Sequence, residues 1–133
     1  MTASKTYDLR VVTEFSSAHV LRGYPGACEQ VHGHNFRVEV EVRAHRLDEL
    51  GMGIDFRELT RMTEEVTARL DHRLLNEVTP FDEVNPTAEN IAAHIYHRLG
   101  HALAESAAGD RVRMLAVTVH ENDRISARYH EQG

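Results

Sequence analysis

The strictest constraint on the fold is the alternation of apolar and polar residues between Phe36 and Ala44. Phe36, Val38, Val40, Val42 and Ala44 occupy the even positions, and arginines and glutamates fill the odd ones. Successive side chains of a strand point to opposite faces, so this pattern predicts a β-strand with one buried and one polar face. A strand of this kind needs partner strands and a covering layer.

The other elements follow from similar periodicities. Residues 7–16 alternate and predict a first strand. A helix is predicted from Asp55, an N-cap with Glu58 at the capping-box position, and its apolar stripe runs from Phe56 to Leu74. A second helix starts near Thr87, where apolar residues recur at every fourth position: Ile91, Ile95, Leu99 and Leu103. Residues 115–119 and 125–129 alternate again and predict a β-hairpin.

The order ββααββ predicts an α+β protein in which an antiparallel sheet carries two helices on one face. With 133 residues, the chain is expected to form a single domain, residues 1–133. The net charge of −6 argues against nucleic acid as a partner. The sequence shows neither a membrane-spanning apolar run nor a signal peptide. Cys28 is the only cysteine, which favours a reducing, cytoplasmic location.

The stretch CEQVHGHNFRVEV, residues 28–40, joins the predicted second strand to a metal-binding pattern. His32 and His34 point to the same face of a strand, and Gly33 between them adds no side chain and lets the backbone bend. His19 follows the first strand and is placed to add a third imidazole. Three histidines with an open fourth position are typical of catalytic zinc. A closed structural site, with Cys28 as the fourth ligand, is the alternative.

Two further groups are candidates for acid–base or binding roles. Asp71 and His72 are adjacent where the first helical stripe finishes, and a neighbouring carboxylate can orient an imidazole for proton transfer. Glu121 directly follows the third strand, where a carboxylate can accept bonds from two neighbouring N–H groups of a heterocycle. Three further histidines of the second helix are predicted to lie on its outward, solvated face: His94, His97 and His101.

Five motifs together resemble the family of 6-pyruvoyl- and 6-carboxy-tetrahydropterin synthases (QueD-type). In chain order they read FSSAH, CEQVHGHNF, GMGIDF, LDHRLLN and NPTAENIA. With Glu121 they span residues 15–121, nearly the whole chain. Two positions depart from the family pattern. Gly53 replaces a larger apolar residue and is expected to loosen the turn before the helix, and Asn122 stands where threonine is common.

The resemblance implies a T-fold, in which subunits join into trimeric barrels that stack as hexamers with active sites between subunits. It implies Zn²⁺ held by His19, His32 and His34, with Cys28 as a general base or proton shuttle instead of a ligand. Asp71 and His72 complete the implied catalytic triad, from the same or a neighbouring subunit. Three residues are implied to bind the pterin: Glu121, Thr87 and Glu89.

The implied substrate is 7,8-dihydroneopterin triphosphate. In the carboxy branch, which we favour, the enzyme cleaves the side chain with loss of acetaldehyde and triphosphate. The 6-carboxytetrahydropterin that it forms is on the route to queuosine and other 7-deazapurines. In the pyruvoyl branch, triphosphate is eliminated on the way to tetrahydrobiopterin. Aldolase-type cleavage of dihydroneopterin is a further sister reaction. A non-catalytic structural zinc module is the alternative from a different class of protein.

Overall fold

The computed structural model describes residues 3–25 and 30–132, and within them the predicted order of elements is confirmed. The strands are β1 (Tyr7–His19), β2 (His32–Ala44), β3 (Val112–His120) and β4 (Ser126–Tyr129). The helices are α1 (Phe56–Thr67) and α2 (Ala88–Glu105), with a short 3₁₀ turn at Leu75–Glu77. The sheet is antiparallel throughout, in the order β1-β2-β3-β4.

The alternation that predicted β2 corresponds to its burial. The even-numbered side chains of β2 are inaccessible to solvent: Phe36, Val38, Val40, Val42 and Ala44. Helix α1 packs against β1, and α2 packs against β3 and β4, so both helices cover this apolar face. The core therefore lies between the sheet and the helices, as the ββααββ order predicted. Within the described residues, no helix combines the length and apolar character needed to cross a membrane.

Strands β1 and β2 form a long hairpin whose register determines the site. Tyr7 pairs with Ala44 at one end, and His19 pairs with His32 at the other. β1 therefore runs three residues further than the predicted strand 7–16, and β2 already begins at His32. The extension carries three imidazoles to one end of the sheet on adjacent strands.

Helix α1 is shorter than its apolar stripe. Asp55 caps it by accepting a hydrogen bond from Arg57 N, as predicted, but the side chain of Glu58 pairs with Arg61 instead of completing a capping box. The helix ends at Thr67, not near Leu74. Beyond it the backbone bonds to the edge of β1, where His72 N donates to Ser16 O. Two apolar side chains beyond the helix remain in the core: Leu70, in the turn that follows α1, and Leu75, in the 3₁₀ turn.

Helix α2 begins as predicted, because the Thr87 side chain accepts a hydrogen bond from Asn90 N. Its histidines differ from one another. His97 and His101 are exposed, but His94 is half-buried against Phe81, with ring centroids 5.3 Å apart. Burial lowers the pKa of His94. The prediction that all three histidines are solvated is wrong for His94, because the loop before α2 folds back over this part of the helix.

The two departures from the family pattern both have a local structural reason. Gly53 is buried, and a Cβ atom at this position would lie 2.6 Å from the Cβ of Ala44. The glycine therefore permits a tight contact with β2, and the expectation of a loosened turn is wrong. Asn122 shapes the β3–β4 turn, because its side-chain oxygen accepts hydrogen bonds from Arg124 N and Ile125 N.

Candidate metal centre and its surroundings

Three imidazoles meet where the β1–β2 hairpin ends. One ligand atom from each of His19, His32 and His34 lies within 4.8 Å of the others. The ring centroids are 4.5 Å apart for His19 and His32, 5.3 Å for His19 and His34, and 5.0 Å for His32 and His34. His19 is inaccessible to solvent. The cluster arises because His19 pairs with His32 and because residues two apart on β2 share a face.

The hydrogen bonds around the cluster orient two of the rings. His19 Nδ1 lies 2.7 Å from Pro86 O, and His32 Nδ1 lies 2.8 Å from Gln30 O. A carbonyl oxygen can only accept, so each Nδ1 carries the hydrogen and the Nε2 lone pair is left for another partner. This is the usual arrangement of a metal-binding histidine, in which a backbone acceptor fixes the tautomer.

Two nitrogen atoms test whether the cluster fits a metal ion. His19 Nε2 and His34 Nε2 are buried and have no hydrogen-bond partner among the described residues. A buried polar atom without a partner is costly, and a cation shared by the rings would remove this cost. Burial also lowers the pKa of His19, which favours the neutral ring that a metal requires. The residues present therefore fit a metal ion.

Cys28, the predicted base or alternative fourth ligand, lies outside the described residues. The described chain stops at Pro25 and resumes at Gln30, whose carbonyl oxygen orients His32.

Asp71 and His72 lie on the outer edge of β1. Asp71 Oδ1 accepts a hydrogen bond from Ser16 N at 2.9 Å and lies 3.0 Å from His72 Nδ1. The bond from Ser16 N, followed by the interaction with His72, lowers the pKa of Asp71. His72 has a left-handed backbone with φ of 55°, and its side chain is 81% exposed. His72 and His34 line one shallow groove at the end of the hairpin.

The predicted pterin-binding residues surround a small cleft between α2 and the β3–β4 turn. Glu89 and Glu121 both line it, together with Ala88, Ile125 and Ala127. Burial lowers the pKa of His19, and the negative charge of Glu121 opposes part of this effect, so the carboxylate is within electrostatic range of that imidazole. Thr87 is adjacent to this cleft in sequence, and its hydroxyl oxygen caps α2.

Two asparagines without a predicted role hold the backbone next to His19. Asn76 exchanges two hydrogen bonds with the main chain of Val20, and Asn85 exchanges two with the main chain of Arg22. Pro86, the residue after Asn85, supplies the acceptor for His19. Both asparagines lie inside quoted motifs, LDHRLLN and NPTAENIA, but neither carries a ligand or acid–base group that would single it out.

A second group without a predicted role lies on the sheet face away from the helices. His120 Nε2 lies 3.2 Å from Glu39 Oε1, and His120 Nδ1 lies 3.3 Å from Arg37 Nη2. These contacts join β2 to the end of β3, next to Glu121. No local signal identified them, because the partners are distant in sequence.

Comparison with curated proteins shows close relatives that carry one enzyme name. A protein of Archaeoglobus fulgidus, provisionally named a 6-carboxy-5,6,7,8-tetrahydropterin synthase, is 40% identical over 112 residues, which cover 84% of this chain and 87% of that protein. The 6-carboxy-5,6,7,8-tetrahydropterin synthase of Rickettsia bellii is 30% identical and covers 70% of this chain and 80% of that protein. The Bacillus subtilis enzyme of that name is 33% identical and covers 68% of this chain and 64% of the enzyme.

Solved structures agree with the fold. The Caenorhabditis elegans 6-pyruvoyl tetrahydropterin synthase superimposes with a TM-score of 0.82 at 25% identity and covers 99% of this chain and 100% of that chain. The Plasmodium vivax 6-pyruvoyl tetrahydropterin synthase has a TM-score of 0.75 at 22% identity, over 96% of this chain and 98% of that chain, and shows the shared fold alone. The predicted T-fold is thus confirmed.

The family model described as 6-pyruvoyl tetrahydropterin synthase matches residues 8–132. Members of this family act on pterin substrates, and the match includes all the described candidate site residues. The histidine cluster, the strand register and this match lead to one conclusion: the chain belongs to the 6-pyruvoyl tetrahydropterin synthase family of pterin-processing enzymes.

Proposed function

We propose that this protein is a zinc-dependent 6-carboxy-5,6,7,8-tetrahydropterin synthase. It converts 7,8-dihydroneopterin triphosphate into 6-carboxytetrahydropterin, acetaldehyde and triphosphate, on the route to queuosine and other 7-deazapurines. The observation that carries the proposal is the group of three imidazoles with two buried, unpartnered Nε2 atoms among the described residues. The names of the curated relatives support the carboxy branch.

In this proposal His19, His32 and His34 hold the ion. Neutral imidazole is a preferred zinc ligand, and a three-histidine set leaves coordination open for substrate. Bound there, zinc supplies Lewis acidity that makes the hydroxyl-bearing substrate side chain easier to deprotonate. The carbonyl oxygens of Pro86 and Gln30 fix the tautomers and the ring orientations of two of these ligands.

Proton transfer is assigned to Cys28, Asp71 and His72. Asp71 holds the His72 ring through Nδ1, which leaves His72 Nε2 to take or release a proton at the substrate. Cys28, four residues before His32 in the sequence, is assigned as the second proton-transfer group, and beside a bound cation its thiol would have a lowered pKa and would ionise readily.

The cleft between α2 and the β3–β4 turn is assigned to the pterin. Glu121 is suited to accept two hydrogen bonds from the adjacent N–H groups of the heterocycle, as a bidentate carboxylate does. Glu89 lines the same cleft, and apolar side chains of Ala88 and Ile125 provide surface for the flat ring. Thr87 is assigned to the same pocket, where its hydroxyl hydrogen can donate while its oxygen caps the helix.

A homohexamer of two stacked trimers is part of the proposal. The exposed position of His72 on the outer edge of β1 supports a site completed by contact with a second subunit. Sedimentation equilibrium of the purified protein tests this assembly. A monomer that turns over substrate at the full rate would contradict it.

Product analysis tests the reaction. The protein is incubated with 7,8-dihydroneopterin triphosphate and Zn²⁺, and every product is identified by chromatography and mass spectrometry. We expect 6-carboxytetrahydropterin together with acetaldehyde and triphosphate, and no turnover after removal of metal. A 6-pyruvoyl product would refute the carboxy assignment in favour of its sister reaction, and cleavage of unphosphorylated dihydroneopterin would indicate an aldolase.

The variant Cys28→Ala separates an enzyme from a structural zinc module. Under the proposal Cys28 is not a ligand, so the variant should retain one equivalent of Zn²⁺ and its thermal stability while losing turnover. If the variant instead lost the ion and unfolded, the closed site with a cysteine ligand would be the correct interpretation. Metal content is measured by atomic emission alongside the assay.

A further inference from the structure

The side chain of Asn85 fastens the chain segment that follows His19. Arg22 N donates to Asn85 Oδ1 and Asn85 Nδ2 donates to Arg22 O, both at 2.9 Å. One amide side chain thus satisfies both main-chain groups of Arg22, as a neighbouring strand would. The segment after His19 is held at a point three residues beyond the ring.

The main chain of Asn85 is held by residues at the start of helix α2. Asn85 O accepts hydrogen bonds from Asn90 Nδ2 and from Thr87 N, both at 2.9 Å. The next residue is a buried proline, whose ring restricts its own φ and the conformations open to the residue before it. Between these restraints lies Pro86 O, which accepts from His19 Nδ1 at 2.7 Å.

We propose that Asn85 is a positioning residue for the metal centre. It joins the main chain at Arg22 to the Asn85–Pro86 peptide, so that the Pro86 carbonyl holds Nδ1 of His19 and Nε2 faces His32 and His34. The effect of Asn85 on Zn²⁺ binding rests on the proposed function. Its effect on the His19 tautomer does not, because the tautomer is set in the metal-free protein.

Asn76 provides a matched control. Its side chain makes the same reciprocal pair of bonds with the main chain of Val20, at 2.9 and 2.8 Å. The variants Asn85→Ala and Asn76→Ala therefore each remove two hydrogen bonds from the same short segment. Only the first also releases the peptide that carries the acceptor for His19.

The first measurement is made on metal-free protein at neutral pH. Long-range proton–nitrogen correlation spectra show which nitrogen of each imidazole carries the hydrogen. We expect His19 to be the Nδ1–H tautomer in the wild type and in Asn76→Ala, and a mixture of tautomers in Asn85→Ala. An unchanged His19 tautomer in Asn85→Ala, or the same mixture in both variants, would overturn the inference.

The second measurement is the affinity for Zn²⁺, by competition with a chromogenic chelator, with Co²⁺ absorption as a report on coordination. When a metal-binding histidine loses its outer hydrogen-bond partner, the metal affinity falls by about 10-fold or more. We expect a decrease of this size in the Zn²⁺ affinity of Asn85→Ala. Asn76→Ala should stay close to the wild-type value. Equal weakening in both variants would show that looseness of residues 20–22, not the Pro86 carbonyl, is responsible.

A further variant keeps the test decisive if Asn85→Ala does not fold. Asn90→Ala removes one hydrogen bond to Asn85 O and keeps the two bonds between Asn85 and Arg22. We therefore expect smaller changes in the His19 tautomer and in Zn²⁺ affinity, in the same direction. No change in tautomer or affinity in whichever variant folds refutes the inference. If the wild type fails to bind Zn²⁺, the proposed function fails, whereas the tautomer measurement still decides the role of Asn85.

Discussion

The histidine cluster and the Asp71–His72 turn lie at the same end of the hairpin but are built differently. His19 is inaccessible to solvent, and its ring is fixed by the carbonyl oxygen of Pro86. The His72 side chain is 81% exposed, with Asp71 as its hydrogen-bond partner. The cluster is oriented within the described part of one chain, whereas the turn presents its imidazole outward.

This difference separates two requirements of a metal-assisted reaction. The proposed ligands bind an ion best when they are already oriented, and the paired strands β1 and β2 provide that rigidity. A group proposed to transfer protons, as His72 is, must reach solvent or substrate, and its exposed turn would provide that access. The turn has its own restraint, because Ser16 contacts both of its residues through main-chain groups: Ser16 N donates to Asp71, and Ser16 O accepts from His72 N. Substitutions in the histidine cluster should therefore reduce Zn²⁺ binding, whereas substitutions in the Asp71–His72 turn should reduce turnover and leave Zn²⁺ affinity unchanged.

The largest expected effect comes from His32→Ala. Removing one of three proposed ligands should abolish stoichiometric Zn²⁺ binding and turnover. Because the His32 side chain is only half-buried, its loss should lower the free energy of unfolding by only about 1 kcal/mol. Metal content and chemical denaturation are measured together. His101→Ala, on an exposed position of α2, is the control and should retain both metal and activity. Full metal content in His32→Ala would remove this residue from the ligand set.

Asp71→Asn should instead reduce stability and turnover but leave Zn²⁺ affinity intact. The variant weakens a charge-assisted hydrogen bond from Ser16 N, which at a part-exposed position is worth about 1 kcal/mol. Equilibrium denaturation gives the free energy of unfolding, and chelator competition gives the affinity. A large loss of Zn²⁺ affinity would show that the two regions are not independent.

The pH dependence of that difference follows from the lowered pKa of Asp71. The pKa of the Asp71 carboxyl group is lower in the folded state than in the unfolded chain, where it has its ordinary value of 3.8. The stabilisation is therefore present above that value and is lost as the pH falls through the lower pKa of the folded state. The stability gap between wild type and Asp71→Asn should narrow on acidification. A gap that is constant down to low pH would contradict this account.

A smaller effect distinguishes His72→Gly from His72→Ala. The left-handed backbone at φ of 55° is unfavourable for alanine and open to glycine, so the glycine variant should be more stable by about 0.5–1 kcal/mol. Both variants should lose turnover and keep Zn²⁺ affinity. Equal stabilities would mean that the turn relaxes to another conformation when the imidazole is removed. Thermal denaturation of the pair measures the difference.

The smallest effect is expected for Gly33→Ala. A Cβ atom on Gly33 would meet only Ser17 O, at 3.7 Å, an ordinary contact. Its backbone is outside the left-handed region, so alanine is accommodated there without strain. Stability should change by less than about 0.5 kcal/mol, and metal affinity should be retained. A loss of the ion in this variant would show that the site needs the missing side chain, or the backbone freedom, of a glycine between the two proposed ligands.

Local periodicity predicted most of the fold because it depends on neighbours in the chain. Alternation placed the faces of β1 and β2, and the four-residue spacing of apolar side chains placed α2. The grouping of His32 and His34 on one face follows from the two-residue period of a strand. The inclusion of His19 required only that β1 and β2 pair, which the register confirms.

Predictions from local periodicity are wrong where contacts between distant segments override the local pattern. The stripe from Phe56 to Leu74 predicted seven residues too many in α1, because the edge of β1 binds the backbone after Thr67. Gly53 was misread because its significance depends on Ala44, which approaches it from β2. His94 was misread because Phe81 comes from the preceding loop.

The sequence alone determined the order of the elements, the buried face of each long strand and the three nitrogen donors, because these depend on residue type and short-range spacing. Only the tertiary structure decided how the imidazole rings are oriented. The acceptor for His19 is a main-chain carbonyl 67 residues away, a group present in every residue and therefore invisible in the sequence. Its position depends on tertiary contacts such as the two hydrogen bonds between Asn85 and Arg22, which lie 63 residues apart and which no local pattern encodes.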